Sequence, residues 1–148
     1  MYKILFVCHG NICRSPMAEF VLKEMVKKAG VSQDFEIAST AVSTEELGNP
    51  VYPPARRELQ RHGICCDGKY ARQITKADCS RYQHIYYMDS SNARYLARMF
   101  PEETKFRPFL PRNVADPWYT GDFTQTWADI CEGCSAIMLE LTGKQVDL

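Results

Sequence analysis

Apolar residues in this chain fall into short unbroken runs separated by longer stretches in which they recur at three- and four-residue steps. Lys3 to Val7 is the first run, the pattern of a strand covered on both faces. From Pro16, a favoured early helical residue, Ala18, Val21, Leu22, Met25 and Ala29 mark one face of a helix that Gly30 ends. Glu19 with Lys23 and Glu24 with Lys28 are predicted to pair on its opposite, exposed face. Phe35 to Thr40 reads as a second strand, followed by a loop from Ala41 to Pro54 broken by Gly48, Asn49 and prolines. Arg56 to His62 predicts a short helix closed by Gly63, and Thr75 caps a brief helix through Cys79.

His84 to Met88 predicts a third strand, and Asp89, Ser90 or Ser91 a cap for a helix ending near Phe100. Lys105 to Leu110 predicts a fourth strand, which Pro108 assigns to an edge. After a loop from Pro111 to Asp122, the stripe Trp127, Ile130, Cys131, Cys134, Ile137, Met138 and Leu141 defines the last helix, with Gly143 past its end. Strands alternating with helices, without a repeat or linker, imply one α/β domain over residues 1–148. Its sheet is four-stranded and parallel, with right-handed crossovers and helices on both faces, a flavodoxin-like, Rossmann-type three-layer arrangement. Cys8 then lies at the carboxyl edge of a central strand, where such sheets place their ligands.

Composition narrows the function. Lys plus Arg and Asp plus Glu both total 18, so net charge draws the chain neither to nucleic acid nor to anionic lipid. The N-terminal run fits neither a signal peptide nor a membrane span, and the expectation is a soluble cytoplasmic protein. Seven cysteines, an odd number in a chain long enough to need no staples, suggest reduced thiols.

The turn Val7-Cys8-His9-Gly10-Asn11-Ile12-Cys13-Arg14-Ser15-Pro16 carries the candidate chemistry. Five residues separate Cys8 from Arg14, a span that can curl until the amides of His9, Gly10, Asn11, Ile12, Cys13, Arg14 and Ser15 converge on one anion. Gly10 and Asn11 suit the positive φ such a curl demands, and the following helix adds its positive end. Those dipoles and Arg14 favour a thiolate at Cys8 over the thiol, whose ordinary pKa is ~8.5. Arg14 offers a bidentate fork to two phosphate oxygens, and Ser15 a donor to the sulfur when it leaves phosphorus. A phenol-type leaving group departs more easily if protonated. Asp116, on a loop stiffened by Pro117 and followed by Trp118 and Tyr119, is the candidate acid, and the two aromatics can flank a phenyl ring.

Cys8 through Pro16 resembles the signature of the low-molecular-weight protein tyrosine phosphatases. The resemblance continues through Ser39-Thr40-Ala41, Gly48-Asn49-Pro50, His62-Gly63-Ile64, Ala71 to Thr75, Met88-Asp89 with Asn92, and Asp116 to Tyr119, in the family's order. It implies a phosphocysteine mechanism with neither metal nor cofactor: Cys8 attacks phosphorus, Arg14 stabilises the transition state, and Asp116 is acid and then base. The implied substrate is a tyrosine-phosphorylated protein or an aryl phosphate, with inhibition by phosphate-like oxyanions, and the implied state is a monomer or weak dimer. Asn11, Ser39 and His62, with Asp89 nearby, would hold the loop in shape, and Cys13 would trap an oxidised Cys8 as a disulfide. His9 and Glu45 depart from the family's usual apolar and aromatic residues, and Glu45 would set a carboxylate on the cleft wall.

Other readings compete. Cys131 with Cys134 has the spacing of half a zinc knuckle, but both fall on the apolar stripe of the last helix, and packing is favoured. An arsenate reductase would use the same loop with at least two further relay cysteines on a mobile segment; Cys79 lies in roughly the right part of the chain, but no second cysteine follows it before Cys131. A thiol redox sensor or phosphate-binding module built on Cys8 and Cys13 would not need Asp116.

Overall fold

The computed structural model describes residues 1–148. Four strands, β1 (Tyr2–Cys8), β2 (Phe35–Ala41), β3 (His84–Tyr87) and β4 (Phe106–Pro108), form one parallel sheet in the order β2-β1-β3-β4. β1 is central, pairing Cys8 with Ala41 of β2 and Val7 with Tyr87 of β3. Its unbroken apolar run serves two cores at once. Ile4, Phe6 and Cys8 join the larger core, while Leu5 and Val7 join a smaller one with Ile74, Cys79, Ile85 and Leu96. A strand alternates its side chains, so a run apolar at every position is what burial on both faces requires.

α1 (Arg14–Lys28), α2 (Pro53–Arg61) and α6 (Phe123–Thr142) cover the face of the larger core. α3 (Lys76–Arg81) and α4 (Ser90–Met99) lie on the other. β4 is shorter than predicted, with Pro108 at its end on the edge of the sheet.

The helix ends differ from expectation for local reasons. α1 begins at Arg14, two residues before Pro16, so Arg14 and Ser15 belong to its first turn. The first amides of a helix need no intrahelical acceptor, so a proline is tolerated there. The same freedom starts α2 at Pro53, three residues earlier than predicted, with both prolines in its opening turn. Thr75 caps α3 as predicted, in a reciprocal capping box with Asp78, and α3 runs two residues past Cys79. Asp89 caps α4 in a second capping box with Asn92. α5 (Pro117–Thr120) was not expected; it is one turn, capped by Asp116 and closed by Gly121 at φ 71°. α6 starts four residues before Trp127, at Phe123, under an Asp122 cap.

Glu19 corrects the prediction for α1. Lys23 does reach it at 2.6 Å, but Glu19 is only 4% exposed, because β2 and the segment carrying Lys69 close over that side of the helix. No helix is long and apolar enough to cross a membrane.

Candidate active site

The cleft at the carboxyl edge of β1 is lined by Cys8, His9, Gly10, Ile12, Cys13, Arg14, Glu45, Glu46, Asp116, Trp118 and Tyr119, with a volume of about 130 Å³. Its base is the turn from β1 into α1. The carbonyls of Cys8, His9, Ile12 and Cys13 accept from the amides of Val42, Ser43, Tyr52 and Met17. A trans peptide sets its N–H opposite its C=O, so the amides of His9, Gly10, Cys13 and Arg14 point away from those four partners. Asn11 alone among non-glycine residues has a positive φ, 61°. The expectation for Gly10 was different. It is not left-handed; it allows close approach instead, since a Cβ there would lie 3.2 Å from Cγ of Glu46.

Side-chain hydrogen bonds compensate the strain at Asn11. Its Oδ1 accepts from the Arg72 amide at 3.2 Å, and its Nδ2 donates to Ser15 at 2.8 Å and Ser39 at 3.0 Å. The segment Ala71-Arg72-Gln73, which sequence alone allowed to be a plain surface loop, therefore braces the turn. The sulfur of Cys8 lies 3.0 Å from Oγ of Ser15 and accepts from the Asn11 amide at 3.3 Å.

Arg14 is buried to 2% exposure beside this sulfur. Its Nη1 donates to Asp89 at 2.7 Å and to the carbonyl of Val114 at 2.8 Å, and its Nη2 to Asp116 at 3.4 Å. Burial works against its charge, but Cys8, Asp116 and the bond to Asp89 outweigh it and hold the guanidinium above its ordinary pKa. Asp116 also caps α5, with Oδ1 accepting from Trp118 N at 3.0 Å. One carboxyl oxygen is thus fixed by the backbone, and the other faces Arg14. Burial, with the nearby Cys8 and Asp116, pushes the thiol of Cys13 far up.

A turn that brings a sulfur, a buried guanidinium and a carboxyl into one cleft is the arrangement predicted for phosphate ester chemistry. A family model described as Low molecular weight phosphotyrosine protein phosphatase matches residues 3–147. The chain belongs to that family. A low molecular weight phosphotyrosine protein phosphatase of the mouse is 46% identical over 147 residues, 91% of this chain and 92% of the relative. The crystal structure of SP-PTP, a low molecular weight protein tyrosine phosphatase from Streptococcus pyogenes, is 39% identical, with a TM-score of 0.91 over 97% of this chain and 95% of that one. Wzb of Vibrio vulnificus, solved in complex with benzylphosphonate, is 27% identical, with a TM-score of 0.84 over 95% of this chain and 99% of that one.

Within this phosphatase fold, most of the predicted site residues come together. Trp118 and Tyr119 stand at the rim, 51% and 84% exposed, and Trp118 packs on Tyr52 with ring centroids 4.8 Å apart. Glu45 is on the cleft wall and meets Nε2 of His9 at 3.0 Å. His62 is the exception. It lies at the end of α2, where Nε2 meets Glu58 at 3.1 Å and its ring stacks on Trp127 of α6 at 3.6 Å, so it does not join the Asn11–Ser39 group. Cys79 is buried in the smaller core beneath α3 and takes no part in lining the cleft. Cys134 is fully buried against α1, its sulfur 3.6 Å from the carbonyl of Ala18.

Sequence reasoning missed Glu46, Val114, Glu19 and Lys69. Glu46 had a signal in its neighbour Glu45. Val114 acts through its carbonyl, which no side-chain pattern reports, and Lys69 sits in a segment without periodicity.

Proposed function

We propose that this protein hydrolyses aryl phosphate monoesters, phosphotyrosine of proteins among them, through a phosphocysteine intermediate. The carrying observation is that Arg14, only 2% exposed, is bonded to Asp89, Val114 and Asp116 in the same cleft as a sulfur held by Ser15 and the Asn11 amide. The sulfur of Cys8 attacks phosphorus in line with the ester oxygen, and the P–O bond breaks as Asp116 protonates the departing phenol. Arg14 and the amides of the turn take up the charge that spreads over the equatorial oxygens. In the second half, Asp116 accepts a proton from water, water attacks phosphorus, and Cys8 leaves with Ser15 donating to its sulfur. Trp118 and Tyr119, exposed on the wall of the same cleft, flank the phenyl ring of the substrate. Inorganic phosphate and other tetrahedral oxyanions compete for the same turn.

The test is turnover of p-nitrophenyl phosphate and of a phosphotyrosine peptide by the purified chain, with rapid-quench trapping of a phosphorylated cysteine. The wild type is expected to show both, and Cys8→Ser neither. Arsenate reduction without ester hydrolysis would overturn the proposal.

A further inference from the structure

α5 carries the proposed acid, yet its backbone does little to fix it to the rest of the molecule. Its main-chain bonds close within the turn, from the amides of Tyr119 and Thr120 to the carbonyl of Asp116 and from Gly121 to that of Pro117. Pro117 is its one buried residue. Oδ2 of Asp116 reaches Arg14 at 3.4 Å, longer than the roughly 2.8 Å of a close charge-assisted bond. Oδ1 is held by the amide of Trp118 at 3.0 Å. Where the carboxyl stands therefore depends on where Trp118 stands, and a displacement of about 1 Å in a reacting group can cost about a hundredfold in rate.

Trp118 is located by a ring that does not itself line the cleft. Tyr52, half-buried at the start of α2, packs on Trp118 with centroids 4.8 Å apart and on Phe123, the first residue of α6, at 6.2 Å. Tyr52 and Phe123 both rest against the small apolar group formed by Ile12, Cys13 and Ala71, two of which belong to the turn itself. The backbone of Tyr52 is fastened to the same turn, since its amide donates to the carbonyl of Ile12 at 2.9 Å. Pro53 follows it and holds it extended, at φ −55° and ψ 133°. One residue thus touches the turn through its amide and the acid-bearing helix through its ring.

We infer that Tyr52 is a positioning residue, whose ring ties Trp118 to the anion-binding turn and so sets the reach of the Asp116 carboxyl toward the departing oxygen. The inference rests on the phosphatase reading for its kinetic arm. Its second readout, quenching of Trp118 fluorescence by acrylamide in a Trp127→Phe background, needs no turnover.

Tyr52→Ala is expected to lower kcat/KM for phenyl phosphate about tenfold and for 2,4-dinitrophenyl phosphate less than about twofold, because a strongly acidic phenol needs no proton to leave. The inhibition constant of inorganic phosphate stays within about twofold, since every residue at position 52 other than proline keeps the amide bond to Ile12. Quenching of Trp118 rises. Tyr52→Phe keeps the ring and restores all three readouts, and in an Asp116→Asn background Tyr52→Ala has no further effect on kcat/KM. Tyr52→Leu, which keeps apolar bulk without the flat ring, gives the same pattern and serves where Tyr52→Ala is too unstable to assay. An equal loss for both esters, or full additivity with Asp116→Asn, overturns the inference. So does a fall in thermal stability with unchanged kcat/KM for phenyl phosphate. Failure of the phosphatase reading is distinguishable, since the wild type would then turn over neither ester while the quenching of Trp118 still responded to Tyr52→Ala.

Discussion

Arg14 and Asp89, 75 positions apart, meet at 2.7 Å, and the same aspartate caps α4 by accepting from the Asn92 amide at 2.8 Å. The residue that aims the guanidinium is therefore anchored by a helix end. Asp89→Asn keeps a capping oxygen but removes the charge. It is expected to leave the melting temperature near that of the wild type and to lower kcat/KM by about one to two decades. Asp89→Ala adds a stability loss of about 1 kcal/mol for the cap. Arg14→Lys retains the charge but not the fork, and should cost about three decades in kcat. Steady-state kinetics with parallel thermal melts checks all three.

Asp116 serves two purposes through two oxygens, one on Trp118 N and one toward Arg14. Asn at this position still caps α5 but holds no proton to give. Asp116→Asn is expected to slow hydrolysis of phenyl phosphate by about two to four decades. The loss should shrink as the leaving phenol is made more acidic. A uniform loss across leaving groups would remove Asp116 from the acid role.

Cys13 is buried in the same cleft as Cys8. When peroxide converts Cys8 to a sulfenic acid, the Cys13 thiol can condense with it, forming an S–S bond and releasing water. Peroxide-inactivated wild type is expected to recover with dithiothreitol, and Cys13→Ser to progress to irreversible loss. Equal recovery of both would exclude Cys13 as the trap.

Asp78 receives two bonds from Arg72, at 2.8 and 3.0 Å, and others from the amide and hydroxyl of Thr75. Burial raises its carboxyl, but these bonds outweigh burial and hold it below the ordinary 3.8. A depressed folded-state pKa stabilises the fold at pH above the unfolded value, and that contribution disappears as pH falls through the folded one. Asp78→Asn is therefore expected to be less stable than wild type at pH 7, with the gap closing below about pH 3.8. Urea titrations across pH measure it.

Gly133 of α6 faces the ring of Phe109 so closely that a Cβ would lie 2.2 Å from its Cε2 and Cζ. Both residues are buried. Gly133→Ala is expected to lose about 2 kcal/mol of stability by overpacking, and Phe109→Leu should recover part of it in the double variant.

What the linear sequence determined is what neighbouring residues encode. The doubly covered β1, the helix capped by Thr75 and the helix whose cap falls on Asp89, one of the three positions offered for it, all depend on short-range sterics and periodicity, as does the strand-to-helix turn between Cys8 and Arg14. Asp116 was singled out by the proline and aromatics beside it together with the family resemblance, and the fold brings its carboxyl to 3.4 Å from Arg14. Only the tertiary structure decided which groups turn toward the catalytic turn. Glu19 reads as one half of a surface pair with Lys23, and it is the approach of β2 and Lys69 that buries it. His62 is expected beside Asn11, and the packing of α6 on α2 turns it to Glu58 and Trp127 instead. Periodicity reports which face of an element is apolar, but a buried polar contact depends on which distant segment lies over that face.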